Sequence, residues 1–162
     1  MTTTLFTIVP SPIGDLLATG DGISVTGLYM EGHKRGPEIA PEWRRAEEPF
    51  AGLKAQLASY FEGGLEQFDV PVGPRGSRLQ MDVWDALTRI PYGTTTTYGK
   101  LAAEVGRPRA VRAVASAVAR NPVSIVIPCH RVIGSNGSLT GFAGGLDRKI
   151  KLLELEGALR EA

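Results

Sequence analysis

A chain of 162 residues with 43% hydrophobic residues can bury the core of one large domain or of two small ones packed together. The formal net charge of +1 hides an uneven distribution: acidic residues collect between Glu31 and Glu66, whereas Lys100, Arg107, Arg109, Arg112 and Arg120 face Glu104 alone in 100–120. No apolar run reaches membrane-span length, Met1-Thr2-Thr3-Thr4-Leu5 is unlike a signal peptide, and the single cysteine, Cys129, excludes an internal disulfide and a cysteine-based zinc site. The expectation is a cytoplasmic protein without metal or cofactor.

Short strands are expected over Leu5 to Val9, Leu16 to Thr19 and Ile23 to Tyr29. Pro10-Ser11-Pro12-Ile13-Gly14 and Gly20-Asp21-Gly22 separate them, and turn signals at that spacing indicate an antiparallel meander. Gly32 to Glu48 is rich in charge, proline and glycine and reads as an exposed loop, with His33 a solvated surface residue. A helix follows with Phe50, Leu53, Leu57, Tyr60 and Phe61 on one face, closed by Gly63-Gly64. Proline and glycine then interrupt all periodicity at Pro71-Val72-Gly73-Pro74-Arg75-Gly76, which divides the chain into domains at 1–72 and 77–162.

Beyond the division the pattern is mainly helical. Ser77 can cap a helix whose Leu79, Val83, Leu87 and Ile90 share a face, and Pro91-Tyr92-Gly93 ends it. Thr97 caps a short helix containing Leu101, Ala102 and Val105, which stops at Gly106, and Pro108 opens another at a first-turn position. This outlines a helix-turn-helix at about 97–120. On its second helix Val111, Val114 and Val118 fall on one side, and Arg109, Arg112, Ala113, Ser116 and Arg120 on the other. That cationic, short-chained face suits phosphates and a close DNA groove; taken alone it also fits an ordinary solvated helix.

Pro128-Cys129-His130-Arg131 follows the apolar run Ser124-Ile125-Val126-Ile127. A free cysteine after such a run is either a buried filler or a nucleophile. The flanking proline fixes the backbone, and His130 and Arg131 add the positive potential that favours a thiolate, which a filler does not need. If the segment is extended, His130 points away from Cys129, and a bridging water can link them. Gly134 to Gly145 is a twelve-residue glycine-rich loop of the length used for binding. A last helix starts near Asp147, packs Ile150 and Leu153, and ends at Gly157. Glu156 in its final turn opposes the macrodipole; it is either helix-end noise or held by a partner, for which His130 is the candidate.

Six segments carry a family resemblance: Ile90-Pro91-Tyr92-Gly93, Thr97-Tyr98-Gly99-Lys100-Leu101-Ala102, Arg112-Ala113-Val114, Asn121-Pro122, Ile127-Pro128-Cys129-His130-Arg131-Val132-Ile133-Gly134 and Leu152-Leu153-Glu154-Leu155-Glu156-Gly157. With these motifs the chain closely resembles the O6-alkylguanine-DNA alkyltransferases over nearly its whole length. The resemblance implies an α+β protein: an N-terminal ribonuclease-H-like α/β domain with antiparallel strands, and a C-terminal mainly helical domain containing the helix-turn-helix. It implies that Cys129 takes the alkyl group from O6-alkylguanine, and from O4-alkylthymine, in double-stranded DNA and keeps it. A thioether, unlike an acyl-thioester, offers water no carbonyl, so the reaction stops after one turnover.

The same resemblance implies a Cys129, water, His130, Glu156 relay, with Asn121 holding the active-site segment. Tyr98, Val132, Phe142 and Ala143 would receive the flipped base, because O6 is out of reach within the stack. Arg112, Ala113, Ser116, Arg107, Gly99 and Ser135 would contact DNA from the minor groove, with Arg112 filling the vacated space. The protein is expected to be a monomer in solution, with cooperative binding along DNA left open. Phe142 stands where the family commonly has tyrosine, Ala115 replaces a usual glycine, and Val118 a usual asparagine or methionine. Two rival readings are a binding module without chemistry, which Cys129 opposes, and a cysteine hydrolase, for which adjacent Cys129 and His130 have the wrong placement.

Overall fold

The computed structural model describes residues 3–32, 36–139, 142 and 144–159. The N-terminal meander is built from β1 (Leu5–Val9), β2 (Leu16–Gly20) and β3 (Val25–Met30), with β1 antiparallel to β2 and β2 to β3. The third strand starts later than expected because Ile23 lies in an Asx turn, where Asp21 Oδ1 accepts the Ile23 and Ser24 amides at 2.9 and 2.7 Å. Ile23 is accordingly 84% exposed.

The expected loop from Gly32 to Glu48 is not wholly irregular. Arg44–Arg45 forms β4, parallel to β1, so the sheet order is β3-β2-β1-β4. Two exposed arginines have no alternation to reveal a strand; backbone bonds from Arg44 to Thr4 and from Ala46 to Phe6, both 3.0 Å, create it. His33 lies outside the described residues.

α1 (Ala51–Phe61) follows a 3₁₀ turn at Glu48–Phe50 and buries Leu53, Leu57 and Tyr60, with Phe50 just before it. A Cβ on Gly20 would stand 3.2 Å from the Phe50 ring, so glycine there lets this aromatic lie directly on β2. The outer edge of β3 is covered by two later segments. Val25 exchanges backbone bonds with Pro71 and Gly73, and Leu28 with Pro122 and Ser124, at 2.8–3.1 Å. An otherwise open strand edge thus anchors residues 122–124, which lead directly to Cys129.

The helical part begins with α2 (Arg78–Leu87), whose capping box pairs Ser77 and Gln80 reciprocally. Trp84 Nε1 donates to Ala117 O at 2.8 Å and fastens α2 to α4 (Val111–Ala119). Between them β5 (Thr96–Thr97) pairs in parallel with β6 (Val132–Ile133), and α3 (Tyr98–Glu104) follows with Thr97 capping Lys100 N. Gly106, at φ 76°, ends this turn of the chain.

Pro108 does not open α4. It lies inside an Arg107–Ala110 turn closed by a 2.9 Å bond, and α4 starts three residues later. Nor does Val111 join the buried stripe: it is exposed, and Ala117 packs inward with Val114 and Val118. On α5 (Leu146–Leu155) the inward residues are Lys149, Leu152 and Leu153, while Ile150 is only half-buried. Among the described residues no helix is long and apolar enough to cross a membrane.

Candidate active site

The segment after α4 is held in an unusual path. Asn121 is buried; its Nδ2 donates to Ile127 O at 2.7 Å, and its Oδ1 accepts from Val123 N at 3.0 Å. Between these anchors Ile125 adopts φ 72°, the one positive φ of a non-glycine residue among those described. For a β-branched side chain this conformation costs about 1–3 kcal/mol, and it persists only where surroundings determine it. Here they do so through Asn121 and the docking of 122–124 on β3.

Cys129–Arg131 then forms a 3₁₀ turn and not an extended segment, with Arg131 N bonded to Pro128 O at 3.1 Å. Successive side chains of such a turn diverge by about 120°, so Cys129 and His130 still point apart. Cys129 is 6% exposed, and burial pushes its thiol up; a hydrogen bond from Asn121 and the charge of Lys149 act in the opposite direction.

His130 is fully buried, and its Nε2 lies 2.7 Å from Glu156 Oε2. Burial alone would raise the Glu156 carboxyl, yet hydrogen bonds from His130, Arg131 and Tyr60 outweigh it and hold the group at about 2. An ionised carboxylate only accepts, so Nε2 carries the proton and donates. Nδ1 is left with its lone pair, buried and without a hydrogen-bond partner in the described structure. Burial also lowers the His130 pKa, against the pull of Glu156, so the resting imidazole is neutral and can take a proton at Nδ1.

Glu156 is therefore the hub of a four-contact cluster. Arg131 donates from Nε to Oε1 at 2.7 Å and from Nη2 to Oε2 at 3.1 Å, and its Nη1 reaches Ile90 O at 2.6 Å. Tyr60 Oη, from α1, donates to Oε2 at 2.6 Å. Tyr98 is half-buried, its hydroxyl pushed up by burial and by the nearby Cys129. Lys149 Nζ donates to Val132 O at 2.7 Å, and burial lowers its pKa.

The structure brings Cys129, His130, Asn121 and Glu156 together, with Tyr98 and Val132 beside them. Phe142 packs against the core from the glycine-rich loop; Ala143 lies outside the described residues. Arg112, Ala113 and Ser116 are exposed on α4, as are Gly99 and Ser135. Arg107 is differently engaged, because its guanidinium bonds Asp82 Oδ2 and Val105 O, each at 3.1 Å. Sequence reasoning missed Tyr60, Lys149 and the clamp made by Arg131. One signal was present: Lys149, Leu152, Leu153 and Glu156 share helical spacing, which sets charges at both ends of a buried stripe.

Two family models match the chain. Residues 78–158 match the 6-O-methylguanine DNA methyltransferase DNA binding domain, and residues 4–74 the ribonuclease-like domain of the same proteins. A methylated-DNA–protein-cysteine methyltransferase of Methanosarcina acetivorans is 48% identical over 155 residues, covering 94% of this chain and 98% of its own. One from Haemophilus influenzae is 45% identical over 159 residues, covering 96% and 88%. Among solved structures, Mycobacterium tuberculosis OGT in complex with DNA superposes with a TM-score of 0.89 at 44% identity, covering 95% of this chain and 93% of that one.

Proposed function

From the premise that this chain belongs to the 6-O-methylguanine DNA methyltransferase family and repairs DNA by alkyl transfer, we propose that Cys129 is the acceptor of the alkyl group. The observation that carries this reading is the unpartnered Nδ1 of a neutral, buried His130 whose Nε2–H is fixed on Glu156. A thiol pushed up by burial needs a base, and this nitrogen can serve as one.

The Cys129 proton passes through a bridging water to His130 Nδ1, and the imidazolium so formed is stabilised by Glu156. The thiolate attacks the alkyl carbon; the S–C bond forms as the C–O6 bond breaks, and its electron pair stays on the guanine. The base recovers a proton from the relay, with the Tyr98 hydroxyl hydrogen-bonded to the ring or to the displaced phosphate. Asn121 holds the sulfur in place. The thioether has no route back, so each molecule acts once.

Delivery requires the base to leave the stack, into a pocket bounded by Tyr98, Val132 and Phe142. Arg112 on the exposed face of α4 fills the gap from the minor groove, whose poor base code does not handicap a protein that must act at any guanine. Ala113, Ser116, Gly99 and Ser135 line the approach, and O4-alkylthymine is a second substrate by the same geometry. Arg107 acts mainly through Asp82, by positioning the turn before α4.

Intact-mass measurement after mixing with a duplex carrying one O6-methylguanine tests the proposal. One methyl group should appear on the peptide containing Cys129 as the lesion disappears, in equal amounts. Lesion loss without a mass change, or turnover beyond one equivalent, would refute it.

A further inference from the structure

The first turn of α5 holds Arg148 and Lys149, where the helix macrodipole disfavours cations. Lys149 is explained by the Val132 carbonyl and the nearby sulfur. Among the described residues, none of the hydrogen bonds of Arg148 goes to that cluster. Its guanidinium instead gathers main-chain carbonyls from three separate segments: Nε donates to Ile13 O at 3.0 Å, and Nη1 to Gly144 O at 2.9 Å and to Glu31 O. Ile13 belongs to the turn between β1 and β2, Glu31 follows β3, and Gly144 ends the glycine-rich loop.

An independent contact joins the same places. A Cβ on Gly144 would stand 2.3 Å from Met30 Sδ and 2.9 Å from the Phe142 ring, so the end of β3 presses directly on this loop. Gly145 N closes the loop back on Phe142 O at 2.9 Å, which ties the position of Phe142 to that of Gly144 and Gly145. A planar guanidinium fork shared among three carbonyls holds them at set separations, as a lysine point charge would not.

We infer that Arg148 is a positioning residue for the base pocket: it locks the Phe142–Gly145 turn onto the N-terminal sheet, so that the N-terminal domain shapes the wall that receives the alkylated base. The inference rests on the reading that Phe142 lines that pocket. Cys129 activation does not pass through Arg148, so the two properties should separate.

The test compares transfer from free O6-benzylguanine with alkylation of Cys129 by iodoacetamide in the full chain. Arg148→Met should slow benzyl transfer about tenfold or more, as expected when a binding wall shifts by a fraction of an ångström to an ångström, while iodoacetamide reactivity stays within about twofold. Arg148→Lys, which keeps charge and stem, reads the same ratio in a protein less prone to unfold and should fall between. Gly144→Ala, which must displace Met30 or Phe142, should reproduce the selective loss without altering the guanidinium. Parallel loss of both reactivities would mean a merely structural role, and unchanged benzyl transfer in Arg148→Met would overturn the inference outright. Phe142→Ala separates the layers: if it leaves benzyl transfer intact, the pocket reading itself fails, whereas slowing by Phe142→Ala but not by Arg148→Met defeats the role of Arg148 alone.

Discussion

Replacing Glu156 by glutamine keeps the volume of the side chain but removes one acceptor from a site that uses both oxygens. Oε1 accepts from Arg131 Nε, whereas Oε2 accepts from Tyr60, His130 and Arg131 Nη2. If the amide nitrogen takes the Oε1 position, it faces an Arg131 donor. If it takes the Oε2 position, it donates to His130 Nε2 and drives the imidazole proton to Nδ1, the atom that must accept. Loss of a positioned base costs about 10²–10⁴ in rate, so Cys129 alkylation at neutral pH should fall at least about 100-fold. Leaving Arg131 buried without its carboxylate should cost about 3–5 kcal/mol, which for a chain of this size lowers the melting temperature by roughly 6–20 °C. Rates are therefore taken below the variant's own transition, from stopped reactions with O6-benzylguanine across a pH series. As pH rises, hydroxide forms the thiolate directly and the gap to the unmodified protein should narrow; DNA affinity, which this buried cluster does not touch, should hold. A folded variant whose pH–rate profile superimposes on that of the unmodified protein would refute the relay.

Arg112→Ala should slow repair of O6-methylguanine in duplex DNA far more than reaction with free O6-benzylguanine, because only the duplex needs its gap filled; equal slowing in the two assays would remove the intercalating role. Tyr60→Phe deletes a buried donor to a charged acceptor, worth about 1.5–3 kcal/mol, and should lower the melting temperature by several degrees at neutral pH. The same variant has a signature in acid. Glu156 sits at about 2 in the folded chain against an ordinary 4.5, so its contribution to stability is fully present above 4.5 and is lost as pH falls through about 2. Removing the Tyr60 hydrogen bond shrinks that depression, so stability should fall less steeply between pH 4.5 and 2; an unchanged slope in denaturant titrations would show that Tyr60 does not help hold the carboxylate.

What could be read in advance was local. β1 at Leu5–Val9, the Ser77 and Thr97 caps and the buried stripe of α1 all depend on neighbours within a few residues, where periodicity and capping chemistry operate. Glu156 was legible as a carboxylate in the wrong place, and the cysteine motif as a site. The partners were another matter. Tyr60 and Glu156 are 96 positions apart, and a tyrosine on an apolar stripe gives no sign of where its hydroxyl points. β4 exists because backbone groups of Thr4 and Phe6 wait for it, not because of anything in Arg44 or Arg45. The left-handed Ile125 is similarly imposed by Asn121 and β3, against the preference of its own side chain.

α5 concentrates what local rules could not explain. Beside Asp147, which suits its dipole, it carries Arg148 and Lys149 in its first turn and Glu156 at its C-terminal end, where the dipole disfavours them, and these three residues engage specific partners. Arg148 and Glu156 both reach the N-terminal domain, one at Ile13 and Glu31, the other at Tyr60. Between them Lys149 bonds the Val132 carbonyl and sets a positive charge near Cys129. A helix fastened at both ends to the sheet domain cannot shift along its axis without breaking one of those contacts. Arg148 thereby helps set where Phe142 stands relative to the sulfur, while Glu156 holds the His130 imidazole directly. The N-terminal domain thus serves the chemistry without contributing a reacting group, and defects there should appear as lost pocket geometry in the C-terminal domain.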